Sequence, residues 1–265
     1  DSRRLIVNVP PRNLKSMIIS VAFTAWVLGL DPTKRFLIVS YGQDLAQKFA
    51  RDILRVMRSS WYRRLFPGAR IDPAQGRFDD FRTTRNGGVK VESIQGGVTG
   101  FGADFITIDD PMRPLDVIFE HTRQKINETV LNSVMSRQDG VGAARVALVM
   151  QRLHEDDTTG FLLQRQGGKW PHLRLPAIAE EDERVEYDTP FGRGVFQRAA
   201  GDPLNPAYES LEGLRNQEEL EGPYYWSGHY QQRPMPMGGG IIKPEWFQQV
   251  ARSKFPEKYD MVLQS

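Results

Sequence analysis

The sequence predicts an α/β fold, a mostly parallel central sheet covered on both faces by helices. Three observations carry this. Short runs of β-branched and other apolar residues recur through the first two-thirds of the 265 residues. Helical periods separate them. The runs are continuously apolar rather than alternating, as strands buried on both faces are. Hydrophobic residues make up 40% and charged residues 26% of the chain, an ordinary composition for a protein with a substantial core. The length exceeds the ~100–200 residues of one typical domain, so one large domain with a fragment of another is expected.

Leu5-Ile6-Val7-Asn8-Val9 reads as the first strand, ended by Pro10-Pro11. Ser16 to Leu28 is apolar nearly all round, the pattern of a helix buried against a sheet. Phe36-Leu37-Ile38-Val39-Ser40 is the second strand. Leu45, Phe49, Ile53, Val56 and Met57 then recur at the spacings of an amphipathic helix. Between residues 78 and 94, Asn86-Gly87-Gly88 has the chemistry of a hairpin turn. Phe105-Ile106-Thr107-Ile108 is a third strand, stopping at Asp109-Asp110-Pro111. Ile126, Val130, Leu131 and Val134 mark another helix, and Val146 to Met150 a fourth strand. After about Ile178 the composition shifts toward acidic residues, glycine and proline, the mark of a smaller subdomain with extended connections.

Several chemistries are excluded by composition. There is no cysteine, hence no disulfide framework, iron–sulfur cluster or Cys-ligated zinc. Four scattered histidines (His121, His154, His172, His229) form no HExxH pair. The longest uncharged apolar run, Met17 to Leu30, spans 14 residues, short of the ~20 that cross a bilayer. The chain is expected to be soluble and cytosolic. Its start at Asp1, without an initiator Met, and its last segment, Tyr259 to Leu263, which reads as a strand, lead us to expect a fragment of a longer protein.

In open parallel sheets ligands bind beyond the carboxyl ends of the strands. After the first strand comes Pro10-Pro11-Arg12-Asn13-Leu14-Lys15-Ser16 and then a helix. A Lys-Ser pair at such a turn matches the tail of a phosphate-binding loop. There backbone N–H groups and the helix N-terminus hold phosphate oxygens, Lys neutralises β/γ charge and the hydroxyl ligates Mg²⁺. The pattern G-x-x-x-x-G-K-[ST] fails at both glycines, where Val9 and Leu14 stand. A helix start with a solvated Lys is the plainer alternative. Leu14, lacking glycine's freedom, is expected to avoid φ > 0, with Pro10-Pro11 stiffening the loop. The strand ending in Asp109-Asp110 supplies what a nucleotide hydrolase needs next, one carboxylate for the metal and one for the attacking water; an acidic Asx-Pro turn is its bland counterpart. Gln151 would lie near the γ-phosphate if the fourth strand falls between the first and third.

Taken together, Pro10-Pro11-Arg12-x-x-Lys15-Ser16, Leu37-Ile38-Val39-Ser40-Tyr41, Leu65-Phe66-Pro67-Gly68, the run Gly97 to Asp104, Ile108-Asp109-Asp110-Pro111, the run Gln151 to Asp157, Leu175-Pro176-Ala177-Ile178, Tyr230-Gln231-Gln232-Arg233-Pro234 and Gly240-Ile241-Ile242-Lys243 resemble, in order, the motifs of the large terminase subunits of viral DNA-packaging machines. The resemblance implies a P-loop NTPase of the additional-strand type that hydrolyses ATP with Mg²⁺ and drives double-stranded DNA into a procapsid. It implies a ring of subunits on the portal protein, supplied by the terminase small subunit, in the host cytoplasm during virion assembly or from an integrated prophage. Residues 1–178 would form the ATPase core, 179–255 a lid or linker subdomain, and 256–265 the start of an RNase H-like nuclease. Pro11, Arg12, Asn13, Leu14, Lys15 and Ser16 would hold ATP, with Arg12 close to the γ-phosphate. Ser16 and Asp109 would serve the metal, Asp110 the water and Gln151 the coupling of nucleotide state to the lid. Many terminases have Glu where Asp110 stands, and relatives often carry Arg at the position of Phe101. The nuclease acids would follow Ser265, because Glu257 and Asp260 alone cannot build a two-metal site.

From Ile53 to Ile71 there are five arginines and no acid, interleaved with Trp61, Tyr62 and Phe66. Arg55, Arg58, Arg63 and Arg64 are therefore candidates for sequence-independent contact with DNA phosphates, against the alternative of a cationic helix end facing solvent. The net charge of +2 does not by itself announce a nucleic-acid binder. Two rival classes remain beside the motor: a helicase-like P-loop ATPase, and a non-hydrolytic DNA-binding or scaffold module with a degenerate nucleotide site.

Overall fold

Two faces of one strand show how the core is built. In β2 (Arg35–Ser40), Phe36 and Ile38 enter one hydrophobic cluster while Leu37 and Val39 enter another on the opposite side. A strand covered on both faces must be apolar at every position, which is why these runs do not alternate. The computed structural model describes residues 3–74, 77–96, 100–138, 144–189 and 191–236. The chain divides after Met235, and the architecture below is that of the first unit. The expected strand at Tyr259–Leu263, with Glu257, Asp260, Lys243 and the segment 97–99, lies outside the described residues.

The central sheet has seven strands in the order β3-β4-β2-β5-β6-β1-β7. Besides β2 these are β1 (Arg4–Asn8), β3 (Asp80–Arg82), β4 (Gly88–Ser93), β5 (Phe105–Asp109), β6 (Arg145–Met150) and β7 (His172–Arg174). All neighbours are parallel except β3, which pairs antiparallel with β4 through the expected hairpin. In that turn Asn86 takes φ 66°, and a Cβ on Gly87 would stand 2.3 Å from the Pro32 carbonyl, so only glycine fits. β6 does lie between β1 and β5, as the placing of Gln151 required. Register sets Asn8 beside Met150, Asp109 beside Val149 and Ser40 beside Asp109, so the strand ends form one polar rim.

On one face pack α1 (Thr24–Leu30), with the π-helical turn Met17–Phe23 leading into it, and α2 (Gln43–Arg58) with α3 (Ser60–Leu65). Ser59 caps α3 by accepting from the Tyr62 N–H, and the buried Tyr62 hydroxyl donates to the Ala25 carbonyl at 2.7 Å, pinning α3 to α1. The other face is covered by α4 (Glu120–Thr129), extended by the π-helical Val130–Val134, and by α5 (Thr158–Arg165). Each buried Leu, Ile or Phe here contributes about 1.5–3 kcal/mol.

The helix expected against the sheet packs there with one side. Val21, Ala25 and Leu28 face the core, but Ile18 is 57% exposed and Met17, Phe23, Trp26 and Leu30 are exposed with it. α1 covers the sheet with one side only, and the apolar residues of its other side form a surface patch.

After Ile178 the chain makes the antiparallel pair β8 (Glu183–Thr189) and β9 (Gly192–Arg198), then α6 (Leu211–Tyr225) and a π-helical turn, Trp226–Tyr230. α6 is kinked at Gly222, where φ is 76°, just before Pro223. A small core of Ala177, Ile178, Leu214 and Trp226, with Tyr230 stacked on Trp226, holds this part together.

Candidate functional site

The rim formed by the ends of β1, β5 and β6 gathers the residues that the sequence singled out. β1 runs into the loop 9–16, whose backbone is built from left-handed steps at Arg12 (φ 63°) and Leu14 (φ 57°). The expectation that Leu14 would keep ordinary dihedrals is therefore corrected. Reversing the chain from strand end into helix within so few residues demands the left-handed conformation at this position, whatever side chain stands there, and for a non-glycine residue it costs roughly 1–2 kcal/mol. Left-handed residues set one apart, as Arg12 and Leu14 are, are a feature of the backbone nests that bind anions. Ile18 N–H closes the first helical turn on the Leu14 carbonyl at 2.9 Å.

Lys15 and Ser16 reach the two carboxylates at the end of β5. Lys15 Nζ stands 3.0 Å from Asp110 Oδ2. Ser16 Oγ donates to Asp109 Oδ1 at 2.8 Å, and Ser20 Oγ donates to the other oxygen, Oδ2. Positions 16 and 20 share a helix face, so one carboxylate accepts both hydroxyls. Ser20 was missed in the sequence although its i+4 spacing from Ser16 was visible. Asp109 is completely buried. Burial first, and then the neighbouring Asp110 charge, push its carboxyl up to about 7, against the pull of Ser20, Ser16 and Lys15. The Asp109 carboxylate and the Ser16 and Ser20 hydroxyls are hard oxygen donors of the kind a small divalent cation takes, while the Lys15 ammonium is directed to the neighbouring Asp110.

Asp110 is gripped from the ends of two neighbouring strands, β2 and β6. Its N–H donates to the Val149 carbonyl at 2.8 Å, its carbonyl accepts from Tyr41 N–H at 3.2 Å, and its Oδ1 accepts from Gln151 N–H at 3.3 Å. It too is left-handed, with φ 43°. The Gln151 Oε1 is buried with no donor among the described residues.

Contacts from later in the chain close on the same rim. Asn13 Nδ2 donates to the Pro11 carbonyl at 3.2 Å and to Glu209 Oε2 at 3.3 Å. Arg12 lies close enough to Tyr230 for its charge to act on that phenol, which burial raises above its usual range. Glu209 carried no local signal of such a role, and Tyr230 was visible only as part of the late motif 230–234. On the far side of β1, Asn8 donates to the Met150 carbonyl and to Thr159 Oγ1, fixing β1 to β6 and α5.

The four arginine candidates are not brought to one place. Arg58 and Arg63 line a cavity of about 290 Å³ with Arg70, Arg77 and the apolar side chains of Leu54 and Phe81. Arg55 is turned into an ion pair with Asp52 at 2.9 Å. Arg64 sits on α3 outside the cavity lining.

No family model matches the chain. Among curated proteins it is similar to the large terminase subunit of Enterobacteria phage T3, with 26% identity over 234 residues, which is 82% of this chain and 39% of that protein. The chain thus spans well under half the length of this relative. In three dimensions it superposes on the large terminase ATPase domain of Thermus phage P74-26 with a TM-score of 0.53 and 12% identity, covering 86% of this chain and 87% of that one. The large terminase of a thermophilic bacteriophage, in a structure with ADP, gives a TM-score of 0.52 at 11% identity over 87% of this chain and 48% of that one. At such identities the structural likeness speaks for the fold. The resemblance to large terminases read from the motifs is borne out in sequence, and the mostly parallel α/β architecture is shared with a large terminase ATPase domain.

Proposed function

We propose that this chain, similar to a phage large terminase over four-fifths of its length, is the ATP-hydrolysing part of a DNA-packaging motor. The observation that carries the reading is the double contact between loop and strand, Lys15 on Asp110 and Ser16 on Asp109, at the carboxyl ends of parallel strands. The nest of residues 11–16 binds the phosphates of ATP through backbone N–H groups, with Arg12 toward the γ-phosphate. Mg²⁺, when bound by Ser16 and Asp109, supplies charge neutralisation of the phosphate oxygens.

Lys15 exchanges its partner: it leaves Asp110 for the β/γ-phosphate oxygens. Asp110, freed of the ammonium, accepts a proton from the water that attacks the γ-phosphorus as the β–γ bridging bond breaks and ADP leaves. The Gln151 Oε1 orients the same water. The segment 179–255 acts as lid and linker, and residues 256–265 open a nuclease domain. Double-stranded DNA, a portal, a small subunit and a ring of copies complete the motor, and Arg58 and Arg63 are the arginines best placed to hold a DNA phosphate.

The test is release of inorganic phosphate from ATP by the purified chain with Mg²⁺, with and without linear duplex DNA. Hydrolysis that responds to DNA supports the motor. Tight ATP binding without hydrolysis in either condition would favour the non-hydrolytic scaffold instead.

A further inference from the structure

The amides of two consecutive residues, at the end of β6, are held by groups far apart in sequence. Gln151 N–H donates to Asp110 Oδ1, and the next amide, Arg152 N–H, donates to Gln232 Oε1 at 2.9 Å. The short stretch beyond Met150 has no helical or sheet hydrogen bonds of its own; Asp110 and Gln232 hold its first two amides, and Asp157 Oδ2 accepts from the next two, Leu153 N–H and His154 N–H. The segment 226–233 that provides Gln232, a hook at the end of the described chain, also passes close to the next peptide, at Gly228. A Cβ on Gly228 would stand 3.3 Å from the Arg152 carbonyl oxygen, tighter than ordinary packing allows without a shift.

Gln232 is itself over-determined. It is 1% exposed, takes the left-handed φ of 55°, donates its own N–H to the Gly228 carbonyl at 3.0 Å, and donates from Nε2 to the His229 carbonyl. A non-glycine residue holds that conformation only where surrounding contacts enforce it. Its neighbour Gln231 makes a separate clamp, accepting from Ile178 N–H and donating to the Ile178 carbonyl. That clamp anchors the hook to the small core and does not touch the 151–152 peptide. The Arg152 side chain is locked elsewhere, on the buried Asp157 that caps α5, at 2.9 and 3.1 Å. The backbone at 151–152 is therefore a rigid element that Asp110 and the hook share.

We propose that Gln232 is a positioning residue: it holds the Gln151–Arg152 peptide so that the Gln151 N–H meets Asp110, and a shift of Asp110 is returned to the hook along the same bonds. The proposal rests on the nucleotide reading above. Gln232→Met keeps the side-chain length and removes the acceptor. Gly228→Ala leaves every polar group in place but pushes on the Arg152 carbonyl. Gln231→Met removes the other clamp and serves as the control for loosened packing.

The experiment measures kcat and KM for ATP on the purified chain and these three variants, with binding of a fluorescent ATP analogue and thermal melting on each. In Gln232→Met, kcat falls roughly tenfold, the scale of one lost positioning hydrogen bond, with KM within about twofold. Gly228→Ala falls in the same direction. Gln231→Met loses as much melting temperature as Gln232→Met yet keeps the wild-type kcat. An active wild type with unchanged kcat in Gln232→Met, or an equal fall in Gln231→Met, overturns the proposal while leaving the nucleotide reading intact. A wild type that neither binds nor hydrolyses ATP overturns both.

Discussion

The Lys15 ammonium lies 3.0 Å from the Asp110 carboxylate, with side chains only 11% and 22% exposed, so loop and strand are joined by an ion pair largely shielded from water. Such a pair is worth little net stability, but removing one partner strands the other. Lys15→Ala is expected to abolish ATP turnover, because no other loop residue places an ammonium at this point. It also lowers stability by about 1–3 kcal/mol through the unpaired Asp110. Adding Asp110→Asn should recover part of that loss while leaving turnover absent. A double-mutant cycle by urea unfolding checks the coupling.

Leu14 offers a test of backbone strain. With φ 57° and 64% exposure, it gains little from burial and pays for its conformation. Leu14→Gly relieves roughly 1–2 kcal/mol of left-handed strain against about 0.4–1 kcal/mol of added unfolded-state entropy. The variant is expected to be as stable as wild type or more so by up to about 1 kcal/mol in urea. A clear destabilisation would show that the Leu14 side chain contributes packing that its exposure hides.

What the sequence made legible was governed by local pattern. The four strands β1, β2, β5 and β6 declared themselves because burial on both faces leaves no polar position, as Phe36 to Val39 illustrate. Lys15, Ser16, Asp109 and Asp110 were found because strand ends are where chemistry collects. What failed was the inference from residue type to backbone at Leu14, where the loop's geometry overrides side-chain preference. What stayed hidden was non-local: the Ser20 hydroxyl on Asp109, Glu209 against Asn13, and Gln232 on the Arg152 amide span from 80 to 196 residues. No periodicity reports such pairings. The sequence also left open which side of α1 would face the sheet, since a helix apolar nearly all round does not say which of its sides find partners.

Asp109 gives the fold a pH dependence of definite sign. Its carboxyl titrates near 3.8 in an unfolded chain and is pushed up to about 7 by burial in the folded one. Below about pH 4 both states carry the proton and its contribution is fully present. Between about pH 4 and 7 only the folded state holds it, so that contribution is lost as pH rises through 7. Asp109→Asn removes this slope. Melting curves from about pH 4 to 8 should show the variant gaining on wild type with rising pH, and Mg²⁺ should raise the melting temperature of wild type more than that of the variant. A constant difference across the range would contradict the assignment.

For DNA, the arginines are expected to separate by their surroundings. Arg58 and Arg63 line one cavity, whereas Arg55 is neutralised by Asp52. In filter binding against salt, Arg58→Ala with Arg63→Ala should reduce the slope of log K on log salt by about 1–2, since each phosphate left unneutralised is worth about 0.9. Arg55→Ala should leave it nearly unchanged. Equal effects from all three would point to a diffuse cationic surface.

The most direct measurement is ATP affinity and Mg²⁺-dependent turnover determined side by side for wild type and Asp110→Asn. Asparagine preserves the acceptor that Gln151 N–H requires but cannot take a proton from water. The account predicts wild-type affinity within a few-fold and a turnover lowered by roughly 10²–10⁴, the usual cost of a lost general base. Unchanged turnover in Asp110→Asn, with affinity intact, would contradict the assignment of this strand end as the catalytic centre.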